Sequence, residues 1–88
     1  MSVPVRVEGA EGSAVAIQNG ELITLHLPRP FAPGTPFKGV VMAEGVETAI
    51  EGRASGSKRI REGVFEVRAR LVSLRRDDRE RLIRALAP

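Results

Sequence analysis

GVFEVRARLVSL, residues Gly63 to Leu74, runs directly into RRDDRERLIRAL, Arg75 to Leu86. In the first segment Phe65, Val67, Ala69 and Leu71 alternate with Glu66, Arg68 and Arg70, the period-two pattern of an antiparallel strand with one face on a core. In the second, Leu82, Ile83 and Leu86 share one side at helical spacing. Asp77 and Glu80, three residues apart, form a capping-box pattern, with Arg84 near the opposite end, where the helix dipole favours a cation. A helix over about 77–86 is predicted; one so short needs a surface to pack on.

Working back from this pair, the chain reads as short strands and turns. The polar, glycine-bounded stretch Ser55 to Gly63 is expected to be a loop. ETAIEGRA, with Thr48, Ile50 and Gly52 on one face, and FKGVVMA before it read as two strands joined by a turn at EGV. PRPFAPGTP, Pro28 to Pro36, has four prolines and so lacks the backbone donors of an internal strand; it reads as a stiff connection. SAVAIQ and ELITLHLP flank Asn19-Gly20, the dipeptide best suited to the positive φ values of a type I′ turn, and form a hairpin. Residues 1–12 contain Pro4, Gly9 and Gly12 with little apolar periodicity, and read as an arm with a short strand at Val3 to Val7. The fold class is mainly β: a small antiparallel barrel of about six strands, residues 13–88, closed by one C-terminal helix.

With 88 residues the chain has room for one domain, burying about 60 to 65% of its unfolded surface. It has no cysteine, which excludes disulfides, thiolate nucleophiles and Cys-based metal centres. MSVPVRVEGAEG lacks the apolar core of a secretory leader, and no run approaches the 20 or so apolar residues of a membrane span. A cytoplasmic protein is expected.

The net charge of +3 is unevenly placed. Residues 1–52 hold three basic and six acidic groups, a net of −3; residues 53–88 hold eleven basic and five acidic, a net of +6. The positive half could face nucleic acid, a phosphorylated ligand or an acidic protein. No arrangement of residues names a reaction. His26 is the only histidine, sits between Leu25 and Leu27, and has no second histidine or carboxylate cluster near it in sequence. Glu44, Glu47 and Glu51 surround a turn without pairing, the serines lack a nucleophile elbow, and the glycines form neither a phosphate loop nor a dinucleotide fingerprint. The chain is expected not to be an enzyme. Nucleic-acid binding by a basic barrel is disfavoured, because single-strand binders stack bases on exposed rings. Here there is no Trp or Tyr, and only Phe31, Phe37 and Phe65.

From Asn19 onward the layout resembles a PilZ domain. The resembling pieces are the hairpin, the Pro-rich connection ending in PGTP, Gly52-Arg53, the glycine-led strand GVFEVRARLVSL and the D-R-x-x-L helix. The resemblance covers roughly residues 13–86. It implies a six-stranded barrel with a C-terminal helix, a bacterial signalling role, and cyclic di-GMP as the possible ligand. That family holds cyclic di-GMP with an RxxxR pair and a [DN]xSxxG motif. Here Arg6 is followed four residues later by Ala10. If Gly20 is the motif glycine, its polar positions fall on Val15 and Ile17; a shift of two residues puts Ile17, Asn19 and Leu22 there instead.

The reading that follows is a non-enzymatic PilZ-like adaptor acting by protein–protein contact, with weak or no cyclic di-GMP binding. Its docking residues are expected to be Arg68, Arg70, Arg75 and Arg76, on the closing strand and at the start of the helix. Two alternatives remain open: a cyclic di-GMP receptor using Arg6, Arg53, Lys58, Arg59 and Arg61 with the arm ordering on binding, and a nucleic-acid-binding barrel. No metal or cofactor is implied.

Overall fold

A computed structural model describes residues 2–87, so the first residue of the expected arm and the last of the expected domain lie outside the described residues. Six strands and one helix follow in order: β1 (Val3–Val7), β2 (Ala10–Gln18), β3 (Leu22–Leu27), β4 (Pro36–Ala43), β5 (Val46–Arg61), β6 (Val64–Leu71) and α1 (Arg76–Ala85). All pairings are antiparallel, and the sheet closes on itself in the order β1-β2-β3-β6-β5-β4. The mainly-β barrel with one C-terminal helix is thus the observed architecture. Among the described residues no helix is long and apolar enough to cross a membrane.

Residues 3–12, expected as an arm with a short strand at Val3 to Val7, contain that strand as β1, but they are built into the wall and form no arm. Strand β1 pairs with β2 on one side and with β4 on the other, where Val5 faces Val41. Glu8-Gly9 makes the turn between β1 and β2, with φ values of 48° and 82°. Glu44-Gly45 repeats this chemistry between β4 and β5, and Asn19-Gly20 takes positive φ at both positions as its sequence predicts.

The expected loop over Ser55 to Gly63 is instead mostly strand, because β5 runs on to Arg61 as a ribbon with β6. Register shifts between Ala54 and Gly56 and between Arg59 and Arg61 absorb the extra residues. Polar side chains are no obstacle there, since they stand on the solvent side of a two-stranded extension.

The core is filled by alternate residues of every strand, among them Val7, Ala14, Ile23, Leu25, Val41, Ile50, Val67 and Ala69. The Pro-rich connection is a loop up to Thr35, as expected, and two rings, Phe31 within it and Phe37 just after it, point inward: both are buried and meet edge to face at 6.4 Å. Helix α1 plugs the barrel end that holds the Asn19-Gly20 and Glu44-Gly45 turns. Leu82, Ala85 and Leu86 enter the core, whereas Ile83, expected beside Leu82, is 44% exposed. The helix begins one residue earlier than predicted, with Arg75 as an extended N-cap that makes no side-chain capping bond. Asp77 and Asp78 therefore lie inside the first turn, where they act on the dipole rather than as a capping box.

Candidate binding surface

Strand alternation sends Glu66, Arg68 and Arg70 of β6 outward, and the register with β5 decides which cations meet them. Arg70 stands directly opposite Arg53, Arg68 opposite Gly56, and Glu66 opposite Lys58. On the other side β3 places Leu22, Thr24 and His26 opposite the same three residues of β6. The result is a cationic field of Arg53, Lys58, Arg68 and Arg70 on the outer β5–β6 face. It draws two members from each predicted set.

The anions within this field are few. Glu66 is shared by Arg68 Nε at 3.5 Å and Lys58 Nζ at 4.0 Å, and Arg70 Nη1 donates to Glu21 at 2.8 Å. Arg53 turns the other way and donates to the Gly34 carbonyl at 3.0 Å. These pairs are exposed and each contributes about 0 to 1 kcal/mol, so the cations are free to exchange partners. Arg53 facing Arg70 is unfavourable by itself, since like charges directly opposite across strands repel. Beside this row a groove of about 550 Å³ is lined by Gln18, Leu22, Thr24, Ser55, Arg68 and Arg70, among others. Gln18, Leu22, Thr24 and Ser55 were not singled out in the sequence. Nothing local marks them, because Leu22 and Thr24 with the adjoining Gln18 reach the site through the pairing of β3 with β6, and Ser55 through that of β5 with β6.

The other predicted residues are dispersed. Arg6 stands on β1 with Glu11 and Glu47 around the same shallow groove, on a different part of the wall from Arg53 and Lys58. Arg59 and Arg61 flank the register shift near the tip of the β5–β6 ribbon. Arg75 lines a groove with Lys38, Glu51, Val72 and Leu74 on the β4–β5 side, and Arg76 pairs with Glu80 one turn along the helix at 3.5 Å. The four arginines predicted to dock a partner thus divide into two pairs, and only Arg68 and Arg70 share a groove.

The remaining arginines of the helix are occupied in holding it to the barrel. Arg79 Nε donates to the Gly20 carbonyl at 3.0 Å, and Arg81 Nη1 donates to Thr48 Oγ1 at 3.2 Å and to Asp78 at 2.9 Å. Arg84 meets the Glu44 carboxylate, with Nη2 to Oε1 at 3.1 Å, and that hydrogen bond and charge raise its pKa above the ordinary arginine value.

His26 is half-buried on the outer face opposite Ser13 and Glu66. Among the described residues no three metal-capable side chains gather in one place. What the surface offers is charge and hydrogen-bond donors on a fixed sheet. No family model, no curated protein and no solved structure matches this chain.

Proposed function

We propose that the chain is a non-enzymatic, PilZ-like bacterial adaptor module that works by contact with an acidic protein surface, with weak or no cyclic di-GMP binding. The outer β5–β6 face is its docking surface. The observation that supports this reading is the Arg53–Arg70 opposition, flanked by Arg68 and Lys58 and answered locally by few carboxylates. A partner carboxylate that reaches Arg68 or Arg70 in the shared groove would gain a charge-assisted contact, the exposed pairs with Glu66 and Glu21 being weak enough to exchange. Rigid strands hold the row in register, so little ordering opposes binding.

The test is capture of a cytosolic partner by the wild-type protein and by the double variant Arg68→Glu, Arg70→Glu, with thermal unfolding as the control for folding. The reading expects the variant to keep its fold and to lose most of the captured partner. Equal capture by a folded variant overturns it.

A further inference from the structure

A closed barrel has no free edges, yet one short edge survives here. Strand β4 pairs with β5 only as far as Pro36 opposite Arg53. The loop before β4 covers the next stretch: Gly34 donates to the Ala54 carbonyl, Ala54 donates to the Thr35 carbonyl, and Ser57 Oγ bridges the Phe31 N–H and C=O at 3.0 Å each. Beyond Ser57 the cover ends. Lys58, Arg59, Ile60 and Arg61 are all exposed, and among the described residues their only strand partner is β6. Their outer side therefore leaves backbone donors and acceptors open to a further strand.

What can occupy that edge is limited by its charge. Lys58, Arg59 and Arg61 place three cations on four consecutive residues. A second copy pairing edge to edge would set these cations against one another, which is unfavourable for residues opposite across strands. That is the usual way an exposed edge is guarded against self-association. The same charges attract an acidic strand, and Ile60, 37% exposed, offers an apolar contact between the cations. The register shifts on either side confine the straight ladder to Gly56–Arg59, and the cover reaches Ser57, so the regular open stretch is Lys58–Arg59 with Ile60 and Arg61 beyond the second shift, and the added strand is short.

We infer that the outer edge of β5 at Lys58 to Arg61 is a β-augmentation site for an extended acidic peptide segment, one alternating carboxylates with β-branched apolar residues. The main chain supplies the ladder bonds and the three cations supply selectivity. The site rests on the reading of the chain as a protein-binding module, but it uses a different surface from the Arg68–Arg70 groove.

The probe is a capped peptide of about eight residues alternating Glu and Val, titrated into the full chain while amide chemical shifts and amide exchange are followed. Shifts and slowed exchange centred on Lys58 to Arg61 are expected. Methylating every backbone nitrogen of the peptide should weaken binding by roughly tenfold or more, because the ladder donors are gone. Replacing its Glu by Lys should abolish binding. The Arg68→Glu, Arg70→Glu variant should still take the peptide at the edge, which separates failure of this site from failure of the groove. Four results overturn the inference: no shifts at millimolar peptide, equal binding of the methylated peptide, shifts centred on Arg68 and Arg70, or stronger binding of an oligothymidylate at the same amides.

Discussion

Arg81 reaches from the helix into the barrel end to donate to the hydroxyl of Thr48, which is 2% exposed and stands among aliphatic core residues. Thr48 in turn donates to the Val46 carbonyl at 3.3 Å, and the same Nη1 of Arg81 also donates to Asp78 at 2.9 Å. A buried hydroxyl without partners would be destabilising, so helix and barrel each satisfy a polar group of the other. Thr48→Val keeps the shape and removes the acceptor. It is expected to destabilise the protein by about 1 kcal/mol, equivalent to a fall in Tm of roughly 4 to 8 °C for a chain of this size. A double-mutant cycle with Arg81→Met should give a coupling of about 0.5 to 1 kcal/mol by urea denaturation. Strict additivity would show that the contact does not join helix to barrel.

Leu82 and Ile83 are adjacent, and their environments differ completely. Leu82 is fully buried in the open end of the barrel, while Ile83 faces outward. Leu82→Ala should cost about 2 to 5 kcal/mol through the cavity it leaves, enough to threaten folding in a domain this small. Ile83→Ser should change stability by no more than about 0.5 kcal/mol. Chemical denaturation of the two variants checks the contrast, and similar losses would mean that the helix is not seated as described.

Gly52 is where β5 leaves β4 for β6, facing Phe37 on one side and Leu71 on the other. A Cβ at this position would fall on the Arg70 carbonyl, with the Leu71 Cα 3.1 Å away. Backbone cannot yield as a flexible side chain does. Gly52→Ala is expected to destabilise by about 2 to 3 kcal/mol and to broaden amide signals of Arg70 and Leu71. A variant with the wild-type denaturation midpoint would refute the close approach.

How much of this was legible in the sequence depends on how local each signal is. The alternation in Gly63 to Leu74, the Asn19-Gly20 turn and the apolar stripe of the helix are local, and they define β6, the β2–β3 hairpin and α1. Val3, Val5 and Val7 followed by Glu8-Gly9 carry the same kind of signal. They mark the short strand at Val3 to Val7, but Pro4 and two nearby glycines make the segment read as an arm, and the closure of the barrel through Val5 opposite Val41 has no marker within either segment. The site divides in the same way. Composition located the positive charge in the second half of the chain. Which arginines meet is fixed by the β5–β6 register, and the two shifts in that register come from backbone geometry that residue types do not announce. Arg53 and Arg70 are 17 positions apart and become neighbours only through it. The helix shows the same limit. Nothing in its sequence marks Arg79, Arg81 and Arg84 as the residues held by the turns and the buried hydroxyl at the barrel end.

The last prediction concerns cyclic di-GMP. The alternative, non-standard ligand set would need Arg6 to join Arg53, Lys58, Arg59 and Arg61, with the N-terminal residues folding over the nucleotide. Strand β1 is instead paired along both edges, so there is no free arm to close, and Arg6 has Glu11 and Glu47 as its neighbours. Bringing Arg6 to the ligand would require opening the barrel wall. Val15 and Ile17, where the resemblance would put the polar motif residues if Gly20 is the motif glycine, have no side-chain hydrogen-bonding groups. Each missing charge-assisted contact is worth about 1.5 to 3 kcal/mol, so the loss of several lowers affinity by orders of magnitude. Calorimetry at physiological salt is therefore expected to give no dissociation constant below the micromolar range, and a thermal-shift titration no saturable rise in Tm. A sub-micromolar constant that vanishes in Arg6→Ala would reverse this conclusion, because it would require β1 to leave β4 when the ligand binds.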